Sequence, residues 1–256
     1  MNRGIFAIIL TDNKRLLVSM LIVPLVLTVV LPTVFIITIC MAPQEAGDLH
    51  KLMEILPTGE QGQDLQKVGV NLVLNYILPV FFLIIPVMAA SIMAASSFVG
   101  EKEKHTLETL LYCPLSLRQL FQAKVLASFG LSMFVSLLSF IVMLVVLEAE
   151  LYFAMGAFLW PDVKWFIVML VVSPAIALIA ITLIVRVSAK AKGVEEAQQG
   201  AVFLLLPVVA LIGGQFSGLL LVNVWILLGI GVVCAVLAFV LLRRSMGNFR
   251  YETLLK

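Results

Sequence analysis

The residues of this chain with most capacity for chemistry are gathered in one short stretch, Gly100-Glu-Lys-Glu-Lys-His-Thr-Leu-Glu108, set between two long apolar runs. Written as a helix over 101–112, Glu101, Lys104, His105 and Glu108 fall at i, i+3, i+4 and i+7 and share one face, while Leu107, Leu110 and Leu111 make a neighbouring apolar stripe. Pro114 ends such a helix, having no N–H for a further turn and disfavouring helical geometry at the residue before it. Carboxylates beside an apolar stripe suit docking to a basic partner rather than covalent catalysis. The competing reading is a solvated loop face, the usual fate of a charge run.

Other chemistries lack their residues. There is no Gly-Lys dipeptide, so the loop that cradles nucleotide phosphates is absent and the chain is expected to bind no ATP and to have no enzymatic activity of its own. There is no H-E-x-x-H, and the only histidines, His50 and His105, are expected on opposite sides of a membrane, so no metal site is expected. Glu195-Glu196 bears a superficial likeness to a protease glutamate pair, but intramembrane proteolysis needs histidines or acids within the spans, and the apolar runs hold none. Cys40, Cys113 and Cys234 are odd in number and sit in or beside spans, which implies no disulfide framework. No basic stripe suited to a phosphate backbone stands apart from the span ends, so nucleic acid is not an expected partner.

The elements that must position the charged stretch follow from composition. With 62% hydrophobic residues, 12% charged residues and a mean hydropathy of +1.14, the chain reads as a polytopic membrane protein. Each crossing needs roughly 20 apolar residues, and runs at about 16–41, 71–98, 125–147, 165–185, 200–220 and 221–242 satisfy this. The expected fold is therefore all-α, one membrane domain over 1–256 with six transmembrane helices. An interfacial helix is expected over 4–13, an external segment at 42–70 with a short helix around Leu49, Leu52, Met53 and Leu56, and a cytoplasmic coupling helix within 100–118 between spans two and three. The first run is longer than the 7–15 residues of a signal-peptide core and reads as a span.

Orientation follows from the basic residues near span ends. With a cytoplasmic N-terminus, Arg3, Lys14, Arg15, Lys102, Lys104, Arg118, Lys124, Arg186, Lys190, Lys192, Arg243, Arg244, Arg250 and Lys256 lie inside, and only Lys51, Lys67 and Lys164 of the 17 lie outside. Both termini are thus expected in the cytoplasm of a cell whose plasma membrane the chain crosses. Charge inside a span costs about 2.5–3.5 kcal/mol per residue on insertion scales. Its absence from the six runs argues against a pump built on buried carboxylates. The polar residues at depth, Asn71, Asn75, Ser91, Ser96, Ser132, Ser136, Ser139, Thr182 and Asn223, read mostly as packing or span-end residues. Pro24, Pro32, Pro79, Pro86, Pro174 and Pro207 mark bends expected to face the bundle interior. Gly213, Gly214, Gln215, Phe216 and Gly218 lie on the short external link between spans five and six, where a tight turn or shallow re-entrant element would make an external gate.

The apolar span followed by Gly100-Glu-Lys-Glu-Lys-His-Thr-Leu-Glu108, two leucines, and Pro114 with Ser116 before Lys124 resembles the membrane-spanning subunits of type-two ATP-binding-cassette (ABC) exporters, most nearly their sodium-extrusion branch. Val194-Glu-Glu-Ala-Gln-Gln199 resembles a second stretch of that branch. His105 stands where the family pattern usually has glycine, and 42–70 is shorter than the external domain of the sodium-extruding relatives. The resemblance implies a permease that works with a second permease chain, as homodimer or heterodimer, within membrane lipid, and with cytoplasmic ABC ATPase subunits that carry the ATP and Mg. It assigns Gly100, Glu101, Lys102, Glu103, Lys104, His105, Thr106, Leu107, Glu108, Leu110 and Leu111 to ATPase coupling. Apolar pathway walls suit a lipophilic, peptide or drug-like substrate, with sodium ion as the alternative. A non-transporting immunity or sensor subunit that binds an ATPase through the same helix is the reading from another class.

Overall fold

The computed structural model describes residues 14–41, 65–100, 117–156, 162–188, 191, 193–216 and 224–247, and among them there are helices and no strand. Helix α1 (Lys14–Met41) precedes a segmented span made of α2 (Leu65–Leu72), a π turn (Val73–Ile77), α3 (Leu78–Phe82) and α4 (Ile84–Phe98). Helix α5 (Leu117–Met155) leads to a second segmented span of α6 (Val163–Ile167), a π turn (Val168–Val172) and α7 (Ser173–Ser188). Helices α8 (Val194–Phe216) and α9 (Val224–Gly247) complete it.

Five stretches among the described residues are long and apolar enough to cross a membrane: Ile22–Ile39, Gly69–Phe98, Gln119–Phe153, Val163–Ser188 and Val224–Ser245. The apolar part of α8, Leu205–Gln215, is shorter, and the remainder of the expected fifth span, 217–220, lies outside the described residues. So do the expected interfacial helix over 4–13, most of the external segment and the coupling helix over 101–112. Two boundaries differ from the hydropathy runs. Helix α2 begins at Leu65, inside the segment expected to be external. Helix α5 extends past 125–147 at both ends, because Gln119, Gln122, Glu148 and Glu150 are polar without being helix breakers. It stops at Gly156, whose φ of 63° is the left-handed conformation that closes a helix and that glycine adopts without a steric penalty.

Both π turns have a proline as their cause. Pro79 and Pro174 offer no N–H. In each case the preceding residue, Leu78 or Ser173, donates its N–H to the carbonyl five residues back, Val73 or Val168. The prolines of the first two spans, Pro24, Pro32, Pro79 and Pro86, are buried as expected, whereas Pro207 faces outward.

The span ending in α4 is the central one. It packs along α5, α7 and α8, while α1 lies against α5 and α9 against α7. The interior has two halves. Toward the end where α5 and α6 meet, called here the far end, the core is built of large side chains, with Phe82, Phe140 and Trp165 in mutual ring contact at 5.7–6.1 Å. Toward the opposite end, the base, it is built from Ala90, Ala94, Ala95, Ala177, Ala180, Ala191 and Ala197 around Val99, Phe121, Val125 and Ile184. Small side chains let helix backbones approach closely where lipid provides no hydrophobic drive for association. Ser91, Ser136 and Thr182 are buried and donate to carbonyls of their own helices, consistent with packing roles. Helices α1 and α9 carry the most exposed apolar surface, including Ile22, Val26, Val34, Val233, Val236 and Phe239.

Helix α9 packs tightly against the second π turn at Gly231. A Cβ built on Gly231 would stand 2.9 Å from Val171 Cγ1 and 3.3 Å from Val172 Cγ2, and β-branched valine has little rotamer freedom with which to yield. Gly231→Val is expected to destabilise the bundle by about 1–3 kcal/mol through overpacking. Gly229→Val, on a residue with nothing within 4 Å of a built Cβ, is expected to leave stability nearly unchanged. Thermal unfolding of the detergent-solubilised proteins checks the contrast.

Candidate coupling face

The residues that flank 101–116, the end of α4 and the start of α5, are held together. Lys124, on the second turn of α5, donates from Nζ to the carbonyl of Ser97 at 3.1 Å, and its ammonium stands 5.4 Å from the Phe98 ring centroid. Phe98 meets Phe121 with ring centroids 5.8 Å apart. One turn deeper, Ser128 Oγ donates to the carbonyl of Met93 at 3.5 Å. The last carbonyls of a helix have no intrahelical donors and favour a cation, so the Lys124–Ser97 bond satisfies the end of α4 as well as joining it to α5.

The second stretch singled out in the sequence arrives at the same place. Gly100 is buried, and a Cβ on it would lie 3.8 Å from Val194 Cγ2, the first residue of α8. The α7–α8 connection is compact: Ala191 donates to Val187 at 3.1 Å and Ala197 to Gly193 at 3.2 Å. A Cβ on Gly200 would meet Val187 at 3.1 Å, so α8 crosses close over the end of α7. Glu196 is exposed there. Thus Gly100 and Val194, far apart in sequence, lie at one base. Glu101, Lys102, Glu103, Lys104, His105, Thr106, Leu107, Glu108, Leu110 and Leu111 lie outside the described residues.

Of the residues assigned to an external gate, Gly213, Gly214, Gln215 and Phe216 continue α8 without a break, and Gly218 lies outside the described residues. Gly213 has nothing within 4 Å of a built Cβ, so among the described residues it makes no close backbone approach. Gln215 is buried, at 5% exposure, and neither of its amide atoms has a hydrogen-bond partner among the described residues.

Sequence reasoning missed a polar network at the far end. Asn75 Nδ2 donates to Asn71 Oδ1 at 2.6 Å, and Asn75 Oδ1 accepts the Asp162 N–H at 3.1 Å. Lys164 is buried, yet its ammonium lies 3.4 Å from Asp162 Oδ2 and 3.3 Å from the Tyr76 ring centroid. Trp165 Nε1 donates to the carbonyl of Leu74 at 3.1 Å. That carbonyl is the one the first π turn strands: Leu78, its α-helical donor, has moved to Val73, and the next residue is a proline. The signals available in sequence were the Asn71/Asn75 spacing on one helix face and Asp162 with Lys164 at the start of a span. Nearby, Thr33 of α1 donates to Glu150 of α5.

The described residues thus form a helical bundle with five stretches long and apolar enough to cross a membrane, and the helix ends on either side of 101–116 meet at its base. The chain belongs to the ABC-2 family of transporter proteins, whose family model matches residues 53–224 and so covers the charged segment, both of its roots and the start of α8. It is an ABC type-two permease and a multi-pass membrane protein. No curated protein and no solved structure matches it.

Trp165→Phe keeps the ring but removes the donor to Leu74, leaving a buried carbonyl unpaired. A cost of about 1–3 kcal/mol is expected. Trp225→Phe, on a side chain that is 78% exposed, is expected to cost little. The difference is read from thermal unfolding of the two variants beside wild type.

Proposed function

We propose that the chain is the transmembrane subunit of an ABC exporter, pairing with a second permease chain and with two cytoplasmic ATPase subunits that bind ATP and Mg. The observation that carries this reading is the family match across a charged segment whose two roots are clamped at the base. The segment 101–112 docks as a helix in a groove of the ATPase. Glu101, Glu103 and Glu108 present carboxylates to Arg or Lys there, and Leu107, Leu110 and Leu111 fill its apolar part. Closure of the ATPase pair on ATP pushes on the base and alternates the bundle between inward-open and outward-open states. The chain itself supplies no phosphate-binding loop and performs no hydrolysis. The substrate is lipophilic, peptide or drug-like, in keeping with the apolar spans.

The base is taken as cytoplasmic. Supporting this, the described basic residues Lys124, Arg186, Arg243 and Arg244 gather there with the start of α1 at Lys14, while Glu148, Glu150 and Asp162 belong to the far end. Six crossings, with α8 as the fifth, put both termini on that side of the plasma membrane.

Charge-assisted hydrogen bonds contribute about 1.5–3 kcal/mol when well formed. Glu101→Arg and Leu110→Asp are therefore expected to weaken ATPase capture roughly tenfold or more at unchanged membrane insertion. Glu60→Arg, assigned to the opposite side, is expected to have no effect. Pull-down of the ATPase and its hydrolysis rate, at matched expression, decide the matter; wild-type behaviour of the first two variants would make the segment an ordinary solvated loop. The orientation has its own test in a variant without native cysteines. A cysteine at Lys51 or Asp162 is expected to react with an impermeant thiol reagent in intact cells, and one at Lys104, Glu195 or Arg250 to be protected.

A further inference from the structure

We propose that Lys124 is a positioning residue for energy coupling: its bond to the Ser97 carbonyl locks α4 to α5 so that both roots of the 101–116 segment move as one body. The inference rests on the ATPase-coupling reading above and adds the part that transmits the movement. Lys124 is buried, at 7% exposure, with its ammonium beside the Phe98 ring, and a charge is an expensive choice for a packing position. A methionine or leucine would fill that space without desolvating a charge. What those side chains could not do is fix register. Apolar contacts such as Phe98 with Phe121 tolerate sliding and rotation, whereas a charge-assisted bond to one carbonyl is directional and holds two helices at one offset.

The surroundings make the offset consequential. Across the base, α4 presents Ala90, Ala94 and Ala95 to the alanines of α7 and α8, namely Ala177, Ala180 and Ala197. The alanines bring the helices close, and Ile181, Ile184 and Val185 of α7 pack in the same apolar cluster. The α4–α5 contact is held by a directional bond, and the α4–α7 and α4–α8 contacts at the base are apolar packing. A push on the segment therefore slides the α4–α5 pair across α7 and α8 instead of splaying its own roots apart. If the Lys124 bond is lost, the same push spreads Gly100 from Leu117 and is dissipated at the base.

The experiment uses the full permease, without native cysteines, purified with its co-expressed ABC ATPase in lipid nanodiscs. Spin labels at Tyr152 and Val163, both exposed at the far end, report the distance between α5 and α6 with and without ATP plus vanadate. In the Lys124-containing complex the distance is expected to shift on nucleotide trapping. Lys124→Met is expected to keep ATPase capture and hydrolysis and to lose the shift. Lys124→Arg, which still donates to Ser97, is expected to retain it. A shift in Lys124→Met equal to that of the parent complex would overturn the proposal, as would loss of the shift in Lys124→Arg. Failure of Lys124→Met to insert and fold would also overturn it, because the residue would then serve the fold and not the coupling. If the parent complex captures no ATPase at all, the coupling reading itself fails, a result distinct from all of these.

Discussion

In hydrocarbon no water is available to satisfy a backbone N–H or C=O, so every such group in a span must find a partner within the protein. This chain breaks the helical ladder at Pro79 and Pro174 and so creates a debt that other residues must meet. The response is the same at both sites, a five-residue π turn whose closing N–H comes from the residue before the proline. At the first site the stranded Leu74 carbonyl accepts from Trp165, a residue of the other segmented span. That bond holds the buried indole where it meets Phe82 and Phe140, and with the Asp162–Asn75 bond it joins the two segmented spans at the far end.

The two halves of the bundle are consequently held by different means. At the far end, directional bonds from Trp165, Asn75 and Asp162 combine with large interlocked side chains to fix one arrangement. At the base, alanines bring the helices close beside Ile181, Ile184 and Val185, and direction comes from Lys124 and Ser128 of α5, which donate to carbonyls of α4. Large side chains resist translation because each fills a hole shaped by its neighbours. Methyl groups leave shallower relief. The directional bonds of the far end join α6 to the first segmented span, and the tip of α5 lies outside them.

Much of this was legible in the sequence. Hydropathy and charge placement gave a helical membrane protein, and the residues from Gly100 to Glu108 with Val194–Gln199 pointed to the family that the match over 53–224 shows. The spacing of Pro79 and Pro174 announced breaks, but hydropathy carries no information about which hydrogen-bond register a break adopts. Lys124 counted as a basic residue near a span end and as the close of the family-like pattern, but its burial was not legible, since it depends on Phe98 and Phe121 meeting. Asn75 read as packing; its carbonyl oxygen in fact takes an N–H from Asp162, a partner 87 positions away that no helical periodicity could supply. The unpartnered amide of Gln215 was equally invisible, because α8 runs straight through the glycines that suggested a turn.

The length of α5 sets a mechanical ratio. Its 39 residues make a rod of about 58 Å, nearly twice the thickness of the hydrocarbon core. It is anchored near its start by Lys124 and touched near its tip by Thr33 through Glu150. A rod of that length tilted by about 5° about its base carries its tip through ~5 Å, close to one helical pitch. A displacement too small to disturb the alanine packing at the base thus becomes, at the opposite face of the membrane, a movement as large as a side chain.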